Sequence, residues 1–250
     1  MKKTSVLLLP GLLEDADAFA HQVAGLAEIA DVRVADLTRS ESMGDLARDA
    51  LAQAPSREFA LAGHSMGGYV ALEILRQAPE RIRALALLNT NARPDSAEST
   101  ENRKRLMALA ERDFEAAVAT LLERQVTPAH LADPAITATI TQMAQSVGHE
   151  AFARQQKAII GRIDSRPYLA KIRCPTLVVA ARGDLIMPLD VLQELADGIP
   201  GAKLEIVEES GHMATLEQPE AVTQALHMWL SGEPRQGPDV VGGPRRPAPT

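Results

Sequence analysis

The sequence predicts an α/β fold: a doubly wound, mostly parallel sheet of about six strands with a helical lid insertion. Three observations lead there. Six short apolar runs show little polar alternation, as strands buried on both faces do. Helix-like stretches separate most of them. One interval of about 85 residues, Asn89 to Arg173, has helical periodicity and no strand-like run.

The strand-like runs are Ser5 to Leu9, Asp31 to Ala35, Phe59 to Ala62, Ala84 to Leu88, Thr176 to Ala181 and Leu204 to Val207. Helical spacing or start signals mark Asp17 to Ile29, Met43 to Ala54, Met66 to Gln77, Pro188 to Asp197 and Pro219 to Leu230. In the long interval, Ile136, Ile140, Met143 and Val147 form one helical face, and Phe152, Ile159, Ile160 and Ile163 another. The expected organisation is a core of residues 1–90 and 173–231, a helical lid of residues 91–172 and a tail of residues 232–250. Nine of the 19 tail residues are Pro or Gly, so neither helix nor strand forms there and disorder is expected.

Composition excludes several classes. The 250 residues suit one α/β domain, and 46% hydrophobic with 24% charged residues is a globular balance. A net charge of −7 with no basic block argues against a nucleic-acid partner, whose phosphates demand cations. Aromatics at 3% leave few stacking platforms. The lone Cys174 has no disulfide partner within the chain and precedes Pro175 at the start of an apolar run, where a buried structural thiol is expected. No apolar run reaches the roughly 18 residues of a membrane span. Lys2 and Lys3 before Ser5 to Leu9 imitate a signal peptide, but Pro10 and Gly11 break the run and Glu14 and Asp15 follow it. A cytoplasmic protein with no membrane partner is expected.

Gly63-His64-Ser65-Met66-Gly67-Gly68 lies between the third strand and a helix. G-x-S-x-G in that context is a nucleophile elbow, which lifts a serine hydroxyl above the sheet at a helix N-terminus. Ser65 then needs a base. Among six histidines, His212 stands in a turn between the last strand and the last helix, in Ser210-Gly211-His212. His21, His130, His149 and His227 fall within helical stretches, and the elbow points the side chain of His64 away from that of Ser65. The base needs an anion to fix its tautomer. Asp184 directly follows the fifth strand, 28 residues before His212, whereas Asp190 and Asp197 fall in a helix. After the first strand comes Pro10-Gly11-Leu12-Leu13. The backbone N–H groups of Leu12 and Met66 are the expected oxyanion hole, since a glycine there lets backbone approach a ligand. All four elements follow the C-terminal ends of strands, where ligands bind in open α/β sheets. Gly11, Leu13 and His64 are further candidates for substrate contact by their place beside these groups.

These residues make the chain resemble the α/β-hydrolase superfamily from Ser5 to about Leu230. It is similar to compact bacterial esterases and enol-lactonases, whose elbow often reads G-x-S-M-G-G. Tyr69 to Arg81 resembles the helix after their nucleophile. Cys174-Pro175-Thr176-Leu177 and Gly183-Asp184-Leu185-Ile186-Met187-Pro188 resemble their acid-bearing segment. The resemblance implies a serine hydrolase of a small ester, thioester or lactone, acting through an acyl-enzyme without metal or cofactor. It also admits a hydrolase-fold binding protein, or a lyase or peroxidase with the same triad. Three departures stand out. Many members have His-Gly where this chain has Pro10-Gly11, which removes a bracing residue from the oxyanion loop. Many begin with an antiparallel hairpin, for which Met1 to Thr4 is too short, so a trimmed sheet is expected. Some carry an aspartate after the fourth strand, where Asn89 and Asn91 stand here, leaving Asp184 as the acid. In the lid, Arg162 is a candidate for binding a substrate carboxylate, against an ion pair within the protein.

Overall fold

The computed structural model describes residues 3–232. Its strands are β1 (Thr4–Leu9), β2 (Ala30–Val34), β3 (Phe59–His64), β4 (Ile82–Leu88), β5 (Thr176–Ala181) and β6 (Lys203–Val207). They form one sheet in the order β2-β1-β3-β4-β5-β6, every neighbouring pair parallel. The central strands β3 and β5 are buried along their whole length. The edge strand β2 exposes Asp31 and Arg33, which a strand covered on both faces would not carry.

The helices are α1 (Ala20–Leu26), α2 (Met43–Gln53), α3 (Met66–Gln77), α4 (Ala97–Ala110), α5 (Phe114–Gln125), α6 (Pro128–Leu131), α7 (Pro134–Ile160), α8 (Arg166–Leu169), α9 (Leu189–Gly198), α10 (Ala214–Glu217) and α11 (Pro219–Ser231). Alternation along the strands divides the core into two layers. Leu7, Leu61, Leu85 and Val178 pack with residues of α2, α3 and α9 on one face. Leu8, Ala62, Ala86 and Val179 pack with α1 and α11 on the other. Burial at about 25 cal/mol per Å² of apolar surface drives both.

Helices α4 to α8 fill the interval between β4 and β5. A third apolar cluster joins them to the core through Leu13 in the loop after β1, with Val118, Ala144 and Phe152 around it. The two helical faces read from the sequence belong to one long element, α7, broken at Gly148, whose φ of 79° and ψ of 167° lie outside the helical region. Ile163 departs from the expected face: it lies past the end of α7 and is 47% exposed. The first expected helix is also shorter, a 3-10 turn at Ala16–Phe19 capped by Asp15, followed by α1. No helix among the described residues is long and apolar enough to cross a membrane. The tail expected to be disordered lies, apart from Gly232, outside the described residues.

Candidate active site

Ser65 is the N-cap residue of α3, with φ 51° and ψ −116°. A left-handed backbone is uncommon for a residue with a Cβ, and it marks a turn forced by its surroundings. The glycines on either side permit it. A Cβ on Gly63 would overlap the Gly67 carbonyl, and one on Gly67 would overlap the Leu9 carbonyl at the end of β1. The elbow is fixed to β4 as well: the Ser65 amide donates to the Leu88 carbonyl at 2.9 Å, and the Thr90 hydroxyl donates to the Ser65 carbonyl at 2.8 Å. The Ser65 hydroxyl makes no capping bond. It lies 2.8 Å from Nε2 of His212.

His212 sits in the loop between β6 and α10, 2% exposed, with Nδ1 2.7 Å from Oδ2 of Asp184. Asp184 follows β5 and is itself buried. Its Oδ1 accepts the amides of Ile186 and Met187 at 2.8 and 2.9 Å, and its Oδ2 also accepts the side-chain amide of Asn89 at 2.9 Å. Burial alone would raise the carboxyl's pKa. The opposing pull of His212, by charge and hydrogen bond, with the Met187 amide and Asn89, outweighs it and holds Asp184 below the usual carboxylate range. Asp184 therefore presents an anion to Nδ1, which leaves Nε2 free to accept the serine proton. Asp190 and Asp197 both lie on α9.

The loop after β1 packs against the elbow, since the site of the missing Gly67 Cβ abuts the Leu9 and Pro10 carbonyls. Among the described residues, the amides of Leu12 and Met66 have no hydrogen-bond acceptor. Leu13, with φ 60°, donates its amide to Oε1 of Gln155 on α7 at 3.1 Å, and its side chain packs into the insertion. Gln155 is fully buried and reaches on to the Leu37 carbonyl at 3.2 Å.

Three expected substrate contacts are placed otherwise. His64 is fully buried, pointing away from Ser65. Its Nδ1 lies 2.9 Å from both carboxylate oxygens of Glu14, and its Nε2 lies 2.8 Å from the backbone carbonyl of His212. Burial lowers the imidazole's pKa, but the Glu14 charge and hydrogen bond, with the His212 carbonyl, more than reverse this and leave it raised. The amide of Gly11 points to Glu14 too, at 2.7 Å, and is not free for a ligand. Arg162 is held by Asp95 at 2.7 Å and by the carbonyls of Arg93 and Ile159, with its guanidinium 4.4 Å from the Tyr69 ring centre. The ion pair within the protein, not a free cation, is what the structure shows.

Glu14 and Glu217 are the residues that sequence reasoning missed. Glu14 joins the loop after β1 to the elbow through one carboxylate, which accepts the Gly11 amide and faces His64, whose other ring nitrogen reaches the His212 carbonyl. Its signal was a carboxylate three residues after Gly11 with a histidine inside the elbow. Glu217 on α10 accepts the amides of Gly211 and Thr127 and the ring of His130, each at 2.9 Å, and ties the His212 turn to the insertion.

Residues 4–219 match the alpha/beta hydrolase fold family. The chain belongs to this family. A curated relative from Azorhizobium caulinodans, provisionally named carbamate hydrolase RutD, is 30% identical over 89% of each chain. A thermophilic esterase from Thermogutta terrifontis superposes with a TM-score of 0.83 at 29% identity, covering 92% of this chain and 91% of that one. The enol-lactonase from Burkholderia xenovorans LB400 gives 0.84 at 25% identity over 92% of each chain. The six-stranded parallel sheet flanked by helices is consistent with that fold.

Proposed function

We propose that this protein is a serine hydrolase of a small carboxylic ester, thioester or lactone, working through an acyl-enzyme. That it is a hydrolase acting on ester-like bonds follows from its family and from the named esterase and lactonase. The observation that carries the finer reading is the chain Ser65 Oγ, His212 Nε2, His212 Nδ1, Asp184 Oδ2, linked at 2.8 and 2.7 Å. In the proposed reaction Ser65 Oγ attacks the carbonyl carbon while its proton passes to His212 Nε2. The oxygen charge that develops is received by the amides of Leu12 and Met66, each such donor accounting for about 3 kcal/mol in comparable sites. Collapse expels the alcohol or thiol, which takes the proton from His212. Water then attacks the acyl group, and His212 repeats its role in reverse.

The test is turnover of p-nitrophenyl acetate by wild type and Ser65→Ala, with mass spectrometry of a fluorophosphonate adduct. The reading expects an adduct on Ser65 and loss of turnover in the variant. Unchanged labelling of Ser65→Ala would remove Ser65 from the mechanism.

A further inference from the structure

A sizeable cavity lies away from Ser65. It lies at the other end of the sheet, where β4 begins and the chain approaches β5, and it encloses about 480 Å³. β4 is seven residues long, so this cleft is roughly 20 Å from the catalytic end at about 3.3 Å per residue. Sites for small organic ligands occupy about 300–1,000 Å³. The catalytic elements all follow strand C-termini, so the cleft forms no part of the site above.

Its lining has two parts. Leu72, Ile82 and Ile172 are buried and form an apolar floor. Around them stand Arg76, Arg83, Lys171 and Arg173, and the lining holds no carboxylate. The chain as a whole carries 33 acidic residues to 26 Lys and Arg, so a wall of four cations runs against its composition. Two of the four are neutralised nearby, Arg76 by Glu73 and Arg83 by Glu58. The other two form no ion pair among the described residues. Arg173 donates only to the carbonyls of Ala170 and Ile172, and the ammonium of Lys171 lies 4.7 Å from the Tyr168 ring centre. Tyr168 also lines the cleft and is 39% exposed.

We propose that this cleft is a second ligand site, for an amphipathic carboxylate whose apolar chain covers Leu72, Ile82 and Ile172 and whose head lies between Lys171 and Arg173. The apolar floor calls for a tail, since covering it removes hydrocarbon from water. The two cations lacking a carboxylate call for an anionic head, which can accept charge-assisted hydrogen bonds from both. The proposal is independent of the catalytic reading.

Cys174, the chain's sole cysteine, lines the cleft and is half-buried, so its alkylation reports on this site alone. The experiment uses the full chain with Ser65→Ala and follows N-ethylmaleimide labelling of Cys174 with decanoate, decanol or decylamine present below their micelle or solubility limits. Decanoate is expected to protect the thiol in a saturable way, decanol more weakly and decylamine least. In Lys171→Ala/Arg173→Ala the affinity for decanoate should fall about tenfold, while that for decanol stays put. Lys171→Arg/Arg173→Lys should restore it. Equal protection by decanoate and decanol would reduce the cleft to an apolar crevice and overturn the proposal. So would absence of protection, or protection by decanoate that the alanine pair leaves intact. Both altered side chains are exposed, and circular dichroism of each variant verifies the fold.

Discussion

Replacing Glu14 tests how its carboxylate holds the loop after β1 against the elbow. In Glu14→Ala two buried donors lose their acceptor: the Gly11 amide and Nδ1 of His64. Each orphaned donor costs about 1–3 kcal/mol, so unfolding free energy should drop by about 2–6 kcal/mol. Glu14→Gln keeps the shape and can still accept from Gly11, and its amide can donate to a neutral His64. Only the charge is lost, and the expected drop is about 1–2 kcal/mol. pH separates the two effects. A His64 pKa raised above 6.5 means that the pair's contribution is complete below that unfolded value and is lost as pH rises through the folded one. Urea denaturation from pH 6 to 9 should therefore show wild type converging on Glu14→Gln at high pH. On an activated ester, kcat of Glu14→Ala should fall by about 10²-fold with KM little changed, because the Leu12 amide loses its support. An alanine variant within about 0.5 kcal/mol of wild type, as for an ordinary surface site, would refute the reasoning. So would identical behaviour of the alanine and glutamine variants.

Other outcomes follow from the same geometry. Asp184→Asn should retain the fold and lower kcat by about 10⁴, while Asp190→Asn and Asp197→Asn stay near wild type, measured with one p-nitrophenyl ester. Because the Asp184 pKa is depressed below 3.8, its stabilisation is complete above that value and is lost as pH falls through the folded one; acid titration of melting temperature should show this in wild type and not in Asp184→Asn. Gly148→Ala forces a φ of 79° and a ψ of 167° on a residue with a Cβ, and should cost about 1–3 kcal/mol by urea denaturation although nothing lies within 4 Å of the added carbon.

The sheet and the hydrogen-bonded chain of Ser65, His212 and Asp184 were legible because each part has a local signature. Uninterrupted apolar runs announce β3 and β5, and strand ends followed by Gly-x-Ser, Gly-Asp and Gly-His announce chemistry. The geometry places Ser65, Asp184 and His212 in one hydrogen-bonded chain. The supporting residues had no such signature. Glu14 and His64 are 50 positions apart and Glu217 and Thr127 are 90 apart, and only the folded sheet brings them together. Glu14 was read in the sequence only as a charge following the broken apolar run, because a carboxylate in a loop ordinarily faces water. His64 was misplaced for the converse reason: a polar residue near a site suggests a ligand contact, yet it is satisfied inside the protein, while Arg162 takes the internal ion pair that stood beside the ligand reading. Asn89 was read only as the absence of an alternative acid. Its left-handed φ of 46° and its bond to Asp184 make it a positive part of the site.

Glu217 has a consequence for how the His212 turn is held. The turn that carries His212 and the start of α6 share this one carboxylate, and the Met213 amide adds a bond to the Gln125 carbonyl at 3.0 Å. His212 is thus moored to the insertion as well as to the sheet. Any swing of the segment around residues 125–130 must either part these bonds or drag His212 away from Ser65. Loosening of the segment around residues 125–130 is therefore felt directly in the position of His212.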